Sequence, residues 1–299
     1  MAKLKKEPIV KDDLVEYLEE YSDFSFELKV LNSLIDMEFS CEHGGTYTDP
    51  ITKKTREFDI RATRVFNKRF LRLAVECKNL RPNFPLLISC LPRRQEEAFH
   101  EILFSVNPRE FSLTNHNDIS GLMMPQERSK NIRLKDNYSL YKPNQEVGKS
   151  CSQVGRDNND NIYTGDTGIY EKWSQALSSA DDLTYLACTD GEERTGDVAM
   201  SLVFPVLVVP DNMLWVTHYD LEGRRVKDPE RVDRCSYYIY LTYSHIGMMG
   251  EELNISHLEF VTYSGLKTFI NNLVGDEENI QNSFPYEHII ERIKENKNG

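Results

Sequence analysis

Arg56-Glu57-Phe58-Asp59-Ile60-Arg61, followed after a short link by Leu71-Arg72-Leu73-Ala74-Val75-Glu76-Cys77-Lys78, carries an alternation of apolar and polar side chains. Side chains alternate between the two faces of a strand. Phe58 and Ile60 therefore point one way, and Glu57, Asp59 and Arg61 the other. In the second run Leu71, Leu73, Val75 and Cys77 share one face, and Ala74, Glu76 and Lys78 share the opposite one. The pattern predicts strands over Arg56–Val65 and Leu71–Lys78, joined through Asn67-Lys68-Arg69. If they pair as a hairpin, Asp59 approaches Glu76. Two carboxylates on one sheet face repel each other. A divalent cation removes that repulsion, and Mg²⁺ or Mn²⁺ suits the site because such ions take a few carboxylates and keep several waters. Lys78 then lies beside the ion, placed to orient or deprotonate an attacking water or to stabilise charge growing on a phosphate.

Working outward, Asp12 or Asp13 caps a first helix to about Tyr21, after a loose tail over residues 1–11. A second helix is expected from about Asp23 to Asp36, with Phe24, Leu28, Leu31, Leu34 and Ile35 as its apolar stripe. Glu27 falls inside that stripe. An acid facing a core is costly unless it is paired or bound to metal. Glu27 is thus either a further metal ligand or the partner of Arg61 or Lys78.

Beyond the hairpin, Pro85–Cys90 reads as a short strand. Residues from about 106 to 165 are poor in apolar side chains and read as a long polar insertion or loop. A third helix starts near Asp166 or Thr167, with Tyr170, Trp173, Leu177 and Ala180 at helical spacing. Strands follow over Met200–Val209, Met213–Tyr219, Cys235–Tyr243 and His257–Tyr263. Ser264 caps a helix to about Val274, and Ser283 with Pro285 opens the last one. This order predicts an α/β or α+β fold with a mixed central sheet flanked by helices, and a single domain over residues 12–299.

The chain has 299 residues and a net charge of −12, which argues against broad, unselective binding to nucleic acid. It is still compatible with a nuclease, because a metal site needs clustered carboxylates. No run of apolar residues is long enough to span a membrane, and no secretory signal leads the chain, so a cytoplasmic protein is expected. The six cysteines form no Cys-x-x-Cys pair and read as reduced, mostly buried thiols.

A helix bearing an acid, then a strand with Asp, then a strand ending Glu-x-Lys, resembles the PD-(D/E)XK nuclease superfamily. The resemblance covers residues 12–90 best and extends loosely to the helix near Trp173 and the strand Leu202–Val209. Phe58 stands where the motif's name calls for proline. Glu-x-Lys occurs three times in the chain, but only Glu76-Cys77-Lys78 ends an apolar strand and follows a strand Asp by 17 residues. The resemblance implies a restriction-endonuclease-like core in which Asp59 and Glu76 bind the metal, Lys78 assists the water and Glu27 contributes a ligand. It further implies that the helix near Trp173 meets nucleic acid, with Gln175 as a contact.

The expected function is a Mg²⁺- or Mn²⁺-dependent nuclease, endo- or exo-acting, that hydrolyses phosphodiester bonds, with DNA as the expected substrate. Arg93 and Lys149 are further candidates for phosphate contact. A second copy of the chain or an accessory protein is left open as a partner. The alternative is a non-catalytic module on the same fold that binds nucleic acid or protein. Gly148-Lys149-Ser150 lacks the strand and the first glycine of a phosphate-binding loop, and Asp157-x-Asn159-x-Asn161 lacks the glycine and glutamate of a calcium loop.

Overall fold

The computed structural model of the chain describes residues 7–49, 52–106, 129–157, 159–165, 167–189, 198–244 and 252–295. It is a mixed α/β protein. Its large sheet runs β1 (Ser40–His43), β4 (Ile60–Phe66), β5 (Arg69–Cys77), β11 (Val198–Val209), β15 (Glu252–Thr262), β14 (Arg234–Ser244), β9 (Glu146–Arg156), β6 (Leu86–Pro92), β12 (Leu214–Tyr219) and β13 (Arg225–Arg231). β7 (Phe99–Val106) joins at β11 and carries β8 (Ser129–Lys135), and β10 (Ile162–Thr164) lies on β9. The β5–β11, β11–β15, β6–β12 and β9–β14 pairs are parallel, so the sheet is mixed as expected.

The expected hairpin is present. β4 and β5 pair antiparallel from Ile60 opposite Val75 to Phe66 opposite Arg69. Asn67 and Lys68 make the turn, both at positive φ (45° and 71°), the twist that a two-residue hairpin loop requires. The first strand is interrupted, however. Thr55–Glu57 is β3 and pairs with β2 (Thr46–Thr48) in a separate small sheet. Phe58 and Asp59 bridge the two sheets. The local pattern is strand throughout, but the chain changes partners at these two residues.

β5 is buried on both faces because helices cover both. On one side Leu71, Leu73, Val75 and Cys77 pack against Phe26, Val30 and Leu34 of α2 (Phe24–Asp36) and Leu266, Phe269 and Ile270 of α4 (Tyr263–Val274). Leu71, Leu73 and Ile60 are fully buried, each contributing roughly 1.5–3 kcal/mol. On the other side Ala74 packs under Leu177, Ala180 and Leu183 of α3 (Thr167–Thr189). The buried row of α2 is Phe26, Val30 and Leu34, whereas Phe24, Leu28 and Ile35 of the expected stripe are exposed. The helix carries apolar residues around much of its circumference, and the direction from which it meets the sheet selects the row.

Further expectations need correction. The first helix begins at Lys11, so its cap is Val10 and not Asp12 or Asp13; Asp13 lies inside the helix and accepts from the Val10 amide at 2.9 Å. The stretch from about 106 to 165 is not one loop. Residues 107–128 lie outside those described, but β8, β9 and β10 occupy much of the rest. β9 is polar in sequence, yet β6 pairs along nearly all of it. A Cβ at Gly148 would stand 2.7 Å from Ile88, and one at Gly155 would stand 2.4 Å from Phe84, so these glycines permit close approach. Gly148-Lys149-Ser150 is therefore strand. The cap of α4 is Thr262, whose hydroxyl accepts from the Gly265 amide at 3.0 Å, while Ser264 turns to Asp211.

α1 (Lys11–Glu20) precedes α2, and α5 (Glu277–Ser283) and α6 (Tyr286–Glu295) close the chain. No described helix is long and apolar enough to cross a membrane. Cys41, Cys77, Cys90 and Cys235 are free thiols.

Candidate active site

Asp59 follows the strand break and Glu76 sits at the end of β5, so the hairpin register brings them side by side. The Asp59 amide donates to Glu76 Oε1 at 3.3 Å, and the Cys77 amide donates to Asp59 Oδ2 at 2.7 Å. Glu76 is 1% exposed. Between the two carboxylates stands the ammonium of Lys172, on the first turns of α3. Its Nζ lies 2.6 Å from Asp59 Oδ2 and 3.1 Å from Glu76 Oε2.

The charges explain the protonation. Burial, and then the Asp59 carboxylate, push the Glu76 carboxyl up to about 8. Burial opposes the charge on Lys172, but Glu76 and Asp59 outweigh it and hold that amine above its ordinary range. The two trends agree: one ammonium serves two enclosed carboxylates, so the group retains an additional proton.

Lys78 continues from β5, its amide donating to the Val208 carbonyl at 2.9 Å. Its ammonium is 2.7 Å from Asp23 Oδ2, and the other Asp23 oxygen accepts from the Asn79 amide at 2.8 Å. Asp23 is the residue before α2, so the start of that helix fixes where Lys78 points. Asp59, Lys78, Lys172, Gln175 and Arg56 line a cleft of about 520 Å³.

Glu27 is set apart from this group. It faces His43 of β1, with Oε2 3.5 Å from Nε2. Burial and then the Asp59 charge raise its pKa, so it shares the electrostatic field of the site without touching the two carboxylates. Among the described residues no three His, Cys, Asp or Glu side chains are grouped closely enough to hold a metal ion. Asp59 and Glu76 nevertheless fit a hard divalent cation. They are oxygen donors, they already share one positive charge, and Mg²⁺ or Mn²⁺ takes its remaining ligands from water.

The remaining candidates divide. Gln175 lines the cleft, and its carbonyl accepts from the Tyr47 hydroxyl at 3.3 Å. Arg93 is 2% exposed. Its guanidinium donates to the Lys142 carbonyl at 3.0 Å and the Ser236 hydroxyl at 2.7 Å, which makes it an internal strut rather than a phosphate contact. Lys149 is 2.7 Å from Glu97, a fully buried carboxylate, and lies over the Tyr238 ring. Neither Arg93 nor Lys149 lines the cleft.

Lys172, Asp23 and His43 were not legible as site residues. A signal for Lys172 existed. Lys172, Gln175, Ser179 and Asp182 recur at intervals of three and four, a polar stripe beside the apolar one on α3. Ser179 accepts from Arg61 Nε at 3.1 Å and Asp182 pairs with Arg61 at 2.8 Å, so that stripe faces the hairpin. No family model, no curated protein and no solved structure matches the chain.

Proposed function

We propose that the chain is a metal-dependent nuclease that hydrolyses phosphodiester bonds, with DNA as its substrate, and that β4, β5, β11, α2 and α3 form a restriction-endonuclease-like core. The observation that carries this reading is the pairing of Asp59 and Glu76 around a single cation at a cleft, with Lys78 alongside. In this reading Asp59 and Glu76 present the oxygens that hold Mg²⁺ or Mn²⁺. The ion supplies the charge that polarises the phosphoryl group and eases loss of a proton from water. Lys78, aimed by Asp23, orients the attacking water or meets the charge developing on the phosphate oxygens. Gln175 and Arg56 line the route by which the backbone enters. Glu27 and His43 tune the field from outside the immediate site.

One observation favours a second reading, a non-catalytic module on the same fold. Lys172, together with the proton that Glu76 retains, already neutralises the two acids, and a permanent lysine there leaves the arrangement complete without metal.

The decisive assay is cleavage of labelled DNA and RNA with Mg²⁺ or Mn²⁺ by the full chain, compared with Asp59→Ala and Lys78→Ala. The nuclease reading expects metal-dependent cutting that falls by at least about a hundredfold in both variants. Folded wild type that neither cuts nor binds metal selects the module.

A further inference from the structure

We infer that Lys172 is a tethered cation that competes with the divalent ion for Asp59 and Glu76, so that loading the site releases its ammonium into the cleft to face the substrate phosphate. The inference rests on the nuclease reading and adds a residue and a mode of control to it.

The geometry allows only one occupant. Nζ stands 2.6 Å from one carboxylate and 3.1 Å from the other, with Glu76 itself enclosed. A second cation coordinated by the same oxygens would sit against the ammonium, so one must leave. Lys78 does not compete, because Asp23 holds it separately at 2.7 Å. Lysine suits the exchange: a compact charge on a flexible four-carbon stem can swing without moving its backbone. The helix also has other anchors. Ten residues further along α3, about 15 Å by helical rise, Asp182 grips Arg61 at 2.8 Å, and the Gln175 carbonyl is held by Tyr47. The cleft of about 520 Å³ gives the released side chain room.

Two consequences follow for the site. Metal affinity is reduced by the fraction of molecules in which Lys172 occupies the pair. The released ammonium, already at the wall of the cleft, turns from the two acids toward the space beside Arg56 and Lys78, where it offsets part of the negative charge of Asp49, Glu57 and Glu171.

The test uses the full chain freed of metal by chelation, with Mn²⁺ as the probe. Acetic anhydride labels amines, and mass spectrometry reads Lys172. The wild type should label slowly without metal and at least about tenfold faster once saturated with Mn²⁺. Calorimetric titration should find Mn²⁺ bound at least about tenfold more tightly by Lys172→Met than by wild type, with Asp59→Asn abolishing the binding. The labelling arm needs no variant, so it stands if Lys172→Met folds poorly. Mn²⁺ binding that requires Asp59 but changes neither Lys172 labelling nor affinity in Lys172→Met overturns the competition and leaves the nuclease reading intact. Absence of Mn²⁺ binding in both proteins overturns the metal site and the inference together.

Discussion

Glu76 concentrates the electrostatics of the site in one side chain. Its carboxyl keeps a proton to about 8 in the fold, against an ordinary value of 4.5. Between those values the native state binds more protons than the unfolded chain. In metal-free protein this contribution is therefore fully present below about 4.5 and is lost as pH rises through about 8. Glu76→Gln cannot ionise and should lack the loss. Thermal melting of both proteins in chelator across this range checks it. Parallel midpoints would remove Glu76 as the source of the slope.

At the scale of elements, α3 is fastened to the hairpin by charges of opposite order. The helix offers Lys172 to acids of the sheet, and the sheet offers Arg61 to Asp182 of the helix. Arg61 is 5% exposed and lies 4.2 Å over the Phe58 ring, so its removal leaves both a packing defect and an unmatched acid. Asp182 retains some solvent contact, which softens the loss. Arg61→Met should lower stability by about 2–4 kcal/mol, with Asp182→Asn milder. Urea denaturation measures it, and a change below about 0.5 kcal/mol, the size typical of a surface substitution, would show that the clamp is not structural. The hairpin also shows what local sequence conveys well. Its alternation and the place of its turn were readable, because neighbouring strands with a short link leave few alternative registers. The link itself was read as Asn67-Lys68-Arg69, although Arg69 already belongs to β5. The break at Phe58–Asp59 was not readable, because continuing a strand and switching its partner have the same local pattern.

Across the whole molecule, β7, β15 and the segment before β9 meet around buried histidines. His100 Nδ1 accepts from the Leu140 amide at 3.2 Å, and His257 stacks on Tyr141 with ring centres 3.6 Å apart. Burial, with Lys142 nearby, lowers the His100 pKa to about 3, and burial also lowers that of His257. The unfolded chain takes up a proton near 6.5 that native His100 refuses until about 3. Stability should therefore fall as pH drops through this interval. His100→Asn, which keeps an acceptor for Leu140, should flatten part of that acid loss in urea midpoints measured from about pH 6.5 downward. An unchanged slope would assign the acid sensitivity elsewhere. Tyr141 also donates to Glu259 at 2.7 Å, and Glu259 accepts from Arg234 at 2.7 Å. This buried network joins a segment read as loop to the two strands beside it.

By itself the sequence determined the alternating strands and, given their pairing as a hairpin, the approach of Asp59 to Glu76, because each follows from periodicity within a segment of about two dozen residues. It also determined that a helix would start near Thr167. The tertiary structure alone decided that Lys172 would reach across 113 residues of sequence to Asp59, that Glu27 would meet His43, and that Arg93 would be enclosed. It likewise decided that polar β9 would enter the sheet. Those outcomes depend on strand order and on the face by which each helix docks. Both are set by the summed burial of distant segments, and local propensity carries little information about that sum.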